Sequence, residues 1–502
     1  MKNNVYYRSA ALFLSLLTIG GSMMSCSDST GSGKEEDTTV LTTDTEAAAV
    51  TEEVNPYALV KDSLPDDLDF DGRSFTIFVT ASDVKIMPGE EGITGDVVDD
   101  AVVFRNMEVE DRLHVKLNHI IDPEANVSTI TNILTRHLMS GDTTFDLYTG
   151  QQYGITAMLA NGGFVNCYDL EHFDFSKPWW NERYMDELAI GYNTRYFLVS
   201  DYFLSVLMNT HVVFFNKTLY GQHYDNANQL YEWTLDGTWT LDKMAEAAKS
   251  LYVDVNNNGA TDINDQLGYI TYLPYSSVDP FIYLSDIEFT PRDSENQIVL
   301  NLVDERAVDL TRDVVEYFYQ PGCYFKIAYG EDYEGAFKEG RVLFLGINTL
   351  RRAADYRDMK QDFGLLPYPK YEESQENYNG LVADVATLGA VSSASQNLDM
   401  AGAVIEALSA ESYRQVIPAY YDTALKVKYS RDDYSSQIID LVRETSYTDF
   451  LYAYSASLNG IGVMMRTLVE RNSSDYMSLV EKQTKAVNRA LEKLVKAYEE
   501  SQ

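Results

Sequence analysis

The chain has 502 residues, too many for one compact core, so two lobes are expected. Its 77 acidic residues against 39 basic ones give a formal charge of −38, which repels nucleic-acid phosphates and anionic membrane surfaces and leaves neutral solutes, cationic solutes and divalent cations as candidate ligands. The three cysteines, Cys26, Cys167 and Cys323, contain no CxxC pair, which excludes a zinc ribbon and a dithiol redox motif.

In chain order, MKNNVYYRSAALFLSLLTIGGSMMSC places Lys2 and Arg8 ahead of an apolar run over 10–19. The run is too short for a membrane span, which needs ~20 apolar residues, and reads as a secretory signal over 1–25. MMSC resembles a bacterial lipobox, with Cys26 as the residue to be lipidated and Met23 where leucine is usual. The alternative is an ordinary signal peptide cleaved nearby. Residues 27–55 are rich in Ser, Thr, Gly, Asp and Glu without an aromatic, so a flexible acidic linker is expected over 26–66. The mature protein is thereby expected to be exported and held at the membrane by its N-terminal lipid.

FTIFV (75–79) reads as a first strand, and 96–112 as an acidic helix with a stripe of Val98, Val102, Met107, Val109 and Leu113. HVKLNHI (114–120) is the next strand, 129–139 a helix, and FDLYTG (145–150) a buried strand. The alternation predicts a parallel α/β architecture. RYFLVSDY follows as strand and loop, and HVVFFNKTLY (211–220) as a strongly apolar strand. TWTLDKMAEAAKSLY (238–252) is the clearest helix, with Thr240 placed to cap it and Leu241, Met244, Ala248 and Leu251 on one face. RVLFLG (341–346) and DFGLLPYP (362–369) are strands; helices dominate after about 398, with a long one near 475–499.

DVNNNGATDIND (254–265) has the spacing of a calcium loop. Oxygens at alternate positions come from Asp254, Asn256, Asn258, the Ala260 carbonyl, Asp262 and Asp265, with Gly259 at the sharp turn. Asp265 replaces the usual glutamate and reaches less far. QLGYITY after it reads as strand, and no second loop pairs with it, so a structural calcium brace is expected rather than a sensor. The alternative is a metal-free turn.

The ordered set VVFFNKTL, TWTLDKMAEAAKSL, FKEGRVLFLG and DFGLLPYPK, with DDAVVFRNMEVEDRL, KPWWNERY and IPAYYDTALKVKYSRD, resembles the extracellular solute-binding proteins of bacterial ABC importers, the maltose-binding-protein-like group. The resemblance covers about 67–450. It implies a type II periplasmic-binding-protein fold of two α/β lobes with a hinge and an interlobe cleft: lobe one at 67–208 and 346–395, lobe two at 209–345 and 396–502. It also implies a monomer that captures a neutral carbohydrate, an oligosaccharide in the first instance, and delivers it to ABC permease subunits; so acidic a chain offers no obvious basic pocket for an anionic sugar or phosphate. A peptide or amino-acid solute is the runner-up. Ligands of open α/β sheets bind beyond the C-terminal strand ends, and clefts between lobes enclose small molecules.

Candidate cleft residues follow from that geometry. Gln151 and Tyr153 lie just past FDLYTG, and Asp201 and Tyr202 just past RYFLVS. Trp179 and Trp180 are a Trp pair in a loop-like stretch, open to core packing or to stacking on a sugar. Asp201 would accept hydroxyl hydrogen bonds or pair with Arg195. Tyr275 and Asp384 are further candidates, whereas Tyr420 and Tyr421 are read as structural packing. No GxSxG, HExxH, P-loop or GxGxxG motif is present, and the six histidines show no ligand spacing. An exported glycoside hydrolase and a calcium-dependent adhesion module are the competing classes.

Overall fold

β1 (Arg73–Thr80) buries residues on both faces from Phe75 onward, as a strand covered by helices on two sides must. The computed structural model describes residues 56–89, 92–272, 276–325, 331–346, 349–420 and 433–500. After β1 comes α1 (Val97–Leu113), which begins where the Asp96 carboxylate accepts the N–H groups of Val98 and Asp99. Val102, Val109 and Leu113 of its expected apolar stripe are buried, but Met107 is 57% exposed. The buried position on that face is taken by Arg105, whose guanidinium donates to the carbonyls of Ile86 and Met87. β2 (Val115–Asp122), α2 (Ile130–Ser140) and β3 (Leu147–Gln151) complete the parallel βαβαβ unit, with β1 paired to both β2 and β3.

A second sheet is built from β4 (Val212–Asn216), β5 (Leu267–Ile270), β6 (Cys323–Tyr324), β7 (Val342–Leu345) and β8 (Phe363–Pro367), in the order β6-β5-β7-β4-β8. β4 runs antiparallel to both of its neighbours. β4 is shorter than the apolar run predicts, because the Asn216 side chain accepts the Leu219 N–H and caps a helix at Lys217–His223. The helix Leu241–Ser250 begins after Thr240, which makes no side-chain cap bond, and buries Leu241, Met244 and Ala248; Leu251 just beyond it is buried too.

The chain returns to the first sheet through β9 (Gly380–Leu381) and β10 (Thr387–Val391), where β10 lies antiparallel on β3 to give the order β10-β3-β1-β2. β9 pairs with β11 (Ser446–Tyr447). Two crossing segments run side by side between the sheets. The His211 N–H donates to the Leu381 carbonyl at 3.0 Å, and the Ala383 N–H to the Asn209 carbonyl at 2.9 Å.

The crossing segments run through 209–211 and 381–386, so β8 does not follow a second crossing at 346. β8 belongs to the second sheet because it pairs with β4 from Val212↔Pro367 to Asn216↔Phe363. Helix Leu398–Glu411, assigned above to lobe two, packs on α1 of the first lobe. The linker boundary also moves: Asp62 is buried between Arg112 (2.7 and 2.8 Å) and Arg414 (3.0 Å). Against the upward push of burial, the two guanidiniums hold the Asp62 carboxyl well below the usual range. Cys26 and the signal segment lie outside the described residues. Cys167 and Cys323 are buried free thiols. Among the described residues no helix is long and apolar enough to cross a membrane.

Candidate functional site

A cavity of about 540 Å³ opens where β1 and β3 end, beside the first crossing segment. Ser82 and Asp83 follow β1 directly and Gln151 closes β3. Ser205 and Met208 come from a short helix (Ser205–Met208), and Asn209 begins the crossing. Arg351 and Ala354 reach the cavity from a 3₁₀ segment of the second lobe, Leu350–Tyr356. Tyr420 enters from beyond the helix Leu398–Glu411 and a π-turn at Ser412–Val416.

The wall of this cavity is rich in acceptors. Asp83 is 1% exposed, and its Oδ2 accepts from Thr80 Oγ1 at 2.5 Å, Thr387 Oγ1 at 2.7 Å and Ser82 Oγ at 3.4 Å. Burial pushes the Asp83 carboxyl upward, opposed by these hydroxyls and by the charge of Arg351. Gln151 Nε2 donates to Ser82 Oγ at 3.2 Å, while Gln151 Oε1 is buried without a donor. Asn209 Nδ2 donates to the carbonyl and hydroxyl of Ser205 at 2.8 and 3.0 Å, and Asn209 Oδ1 is likewise buried without a donor. Ser205 Oγ also takes the Thr387 N–H at 3.2 Å, so the crossing, the short helix and β10 meet at one hydroxyl. A buried carbonyl oxygen without a partner is costly, and a ligand or water that donates to it removes that cost.

Among the described residues Gln151 is the one expected cleft residue that lines this cavity. Tyr153 is 41% exposed on the turn beyond it, tied to the return crossing by its N–H to the Asp384 carbonyl at 3.0 Å. Trp179 and Trp180 are 1% and 5% exposed, and both indole Nε1–H groups donate to the Glu406 carboxylate at 3.0 Å. Little of either ring is open for stacking: each indole's polar edge is consumed by Glu406, Trp180 is packed edge-on by Phe173 and Phe175, and the pair borders, with Asp201, a cavity separate from this one. Tyr202 is fully buried beneath the Arg105 guanidinium, 4.8 Å away, and is no stacking platform either. Asp201 faces Arg443 at 3.4 Å in a separate cavity of about 240 Å³, whereas Arg195 turns to Asp186 at 2.6 Å. Asp384 sits 3.8 Å from Arg466, whose guanidinium is bidentate on buried Asp279, so Asp384 is part of an ionic node and not of the cavity lining. Tyr275 and Tyr421 lie outside the described residues.

Asp83, Asn209 and Arg351 are cavity residues that the sequence does not single out, and Tyr420, read there as structural packing, lines the cavity as well. Asp83 carries the same signal as Gln151, a polar side chain just past a parallel strand. Asn209 stands at the expected lobe crossing. Arg351 and Tyr420 carry no local signal, since tertiary packing alone brings them to the cavity.

The 254–265 loop stands apart from this cavity. Asp254 accepts the N–H of Gly259 at 2.9 Å and of Asn258 at 3.3 Å, while Asn256 Nδ2 and Asn258 Nδ2 converge on Asp262 Oδ2 at 3.0 and 2.8 Å. Asp265 is buried and accepts from the Val255 and Asp262 N–H groups. Asn257 and Gly259 take positive φ, which lets the backbone wrap inward. Among the described residues no three acidic, His or Cys side chains form a metal-holding group. A cation here therefore needs the amide and carbonyl oxygens of Asn256, Asn258 and Ala260 as well as the carboxylates, a donor set of the all-oxygen kind that calcium takes.

No protein-family model matches the chain, and no curated protein does. Solved structures do. A cyclo/maltodextrin-binding protein in complex with maltotetraose shares 13% identity, with 88% of this chain and 98% of that one covered and a TM-score of 0.51. An ABC transporter solute-binding protein from Thermotoga lettingae, bound to α-D-tagatose, shares 12%, with 84% and 100% covered and a TM-score of 0.52. UspC of M. tuberculosis shares 14%, with 83% and 100% covered and a TM-score of 0.53. At this identity the likeness is one of fold. The chain has the type II periplasmic-binding-protein fold: two α/β lobes, each with an antiparallel strand contributed just after a crossing.

Proposed function

We propose that this protein is the solute-binding component of an ABC import system and that it holds a carbohydrate in the cavity beside the crossing segments. The observation that carries the reading is the pair of buried, donor-less oxygens, Gln151 Oε1 and Asn209 Oδ1, on the wall of a cavity within the usual ~300–1,000 Å³ range of ligand pockets. Sugar hydroxyls are donors that satisfy such oxygens. Structural neighbours solved with maltotetraose and tagatose support the same class of solute. The protein is a binder and not an enzyme in this reading. It is exported, anchored through lipid on Cys26 and docked on permease subunits, with calcium at the 254–265 loop as a brace.

Calorimetric and thermal-shift titration with mono- and oligosaccharides, beside short peptides and amino acids, tests the solute class. Saturable sugar binding that Asn209→Leu weakens is expected. Binding of peptides alone, with no sugar response, overturns the carbohydrate reading. Radiolabelled palmitate incorporation that is lost in Cys26→Ala tests the anchor.

A further inference from the structure

Arg351 is an exposed guanidinium in the cavity with no hydrogen bond or ion pair to any described residue. Among the described residues the exposed Arg136, Arg471 and Arg489 make none either, but Arg351 differs from them in lining the cavity. Its neighbour Arg352 pairs with Glu334 and, at 2.9 Å, with Asp355. Arg112, Arg195, Arg414 and Arg466 all find carboxylates. Asp83, Lys85, Asp96 and Asp99 line the same cavity, and of these the Asp83 carboxyl is buried and engaged by three hydroxyls, with burial disfavouring its ionised form. On the wall with Asp83, Gln151 Oε1 and Asn209 Oδ1 lack donors, and both side chains are 4% exposed.

Two chemistries thus remain unmet in one cavity: acceptors that want O–H donors, and a planar cation from the opposite lobe that wants an anion. Resting on the reading of this cavity as a carbohydrate site, we propose that Arg351 is a specificity residue selecting a hydroxyl-rich solute that carries a carboxylate, an acidic sugar of the uronate type. A guanidinium and a carboxylate match as two parallel N–H···O bonds. One cavity arginine without a partner among the described residues suits one negative charge better than the nearly double charge of a phosphate monoester. The hydroxyls of the same solute fill the donor-less oxygens of Gln151 and Asn209.

The probes are di- and trisaccharides of galacturonic, glucuronic and mannuronic acid, each titrated beside its own methyl ester, with neutral oligosaccharides and a sugar phosphate alongside. The ester keeps linkage and shape and removes the charge. At least one acid is expected to bind about tenfold or more tightly than its ester, with the advantage shrinking as salt rises. Arg351→Gln, a surface change with no partner to lose among the described residues, is expected to bring the acid down to the ester's affinity while leaving melting temperature unchanged. An acid-to-ester ratio near one, or a ratio that survives Arg351→Gln, overturns the proposal. Neutral sugars binding while every uronate fails leaves the carbohydrate site standing and removes the role of Arg351. A sugar phosphate preferred to every uronate overturns the carboxylate. Peptide binding alone takes down both readings.

Discussion

At Glu406 the carboxylate receives the indole N–H groups of Trp179 and Trp180 at 3.0 Å and the Asp174 N–H at 3.3 Å; in the cleft, Gln151 and Asn209 each keep one buried carbonyl oxygen with no donor. Both places are polar, both lie in the first lobe, and both were read from the sequence as ligand contacts or their close neighbours. They differ in whether the protein itself completes the hydrogen bonds. A buried polar group satisfied from within holds the fold together. One left unsatisfied costs roughly 1–3 kcal/mol, a cost that an incoming donor removes. Satisfaction, more than residue type, therefore separates scaffold from recognition surface here.

The sharpest way to break this comparison is to remove the acceptor at the satisfied site. Glu406→Ala leaves two indole N–H groups and one backbone N–H unpaired and opens a void, so a loss of about 3–5 kcal/mol is expected in urea unfolding. A loss below about 1 kcal/mol would mean that the Trp pair is not held by Glu406 and would reopen those indoles as candidate contacts. The converse change is Gln151→Leu, which removes a donor-less oxygen at the expense of one bond to Ser82. Its stability should stay within about 1 kcal/mol of wild type while sugar affinity falls about tenfold or more. A large stability loss with unchanged affinity would make Gln151 scaffold after all.

The same comparison has a pH signature. Burial pushes Glu406 and Asp449 each up to about 7, opposed at Glu406 by its N–H donors. A carboxyl whose folded value is raised holds its proton more tightly when folded. The stability it contributes is complete below its unfolded value near ~4 and is lost as pH rises toward about 7. Asp62 acts in the opposite sense: its carboxyl is lowered, so its contribution is present above ~4 and is lost in stronger acid. The urea midpoint should therefore peak near pH 4–5 and decline toward neutrality. A midpoint that climbs steadily from pH 4 to 7 would mean that these carboxyls are ionised and paired in the folded protein.

How much of this was legible in advance follows the range of the interactions. β1, β2 and β3 announce themselves through apolar runs, and Gln151 through its place at a strand end, because those signals are local. β8 looks like any short apolar strand. Its lobe is decided by pairing with β4, about 150 residues earlier in the chain, so the second crossing was misplaced. The Trp pair was misread for the same reason: the carboxylate that consumes both indoles is 226 and 227 residues away, and a sequence window cannot show it. Arg351 is the limiting case. Its place in the cavity, without an ion pair to any described residue, is set by tertiary packing that only a folded structure displays.

The smallest expected effect concerns the loop at 254–265, a third kind of site in which polar groups satisfy one another within a single turn. Asp254 and Asp262 accept in-loop N–H groups, and Asp265 is buried beneath them. A cation bound there would draw on these carboxylates together with the amide and carbonyl oxygens of Asn256, Asn258 and Ala260. Extracellular calcium modules bind at ~10⁻⁴–10⁻³ M, so millimolar calcium is the relevant range. A tenfold excess over the dissociation constant adds roughly 1.4 kcal/mol of stability. Melting temperature should rise with calcium and fall back on chelation, and Asp254→Ala should abolish the rise. Sugar affinity should not change, because no residue of the loop lines the cleft cavity. If chelation removes sugar binding while the fold stays intact, the loop communicates with the cleft and is no mere brace. If calcium leaves the melting temperature unmoved up to ~10 mM, the loop is a metal-free turn held by its own hydrogen bonds.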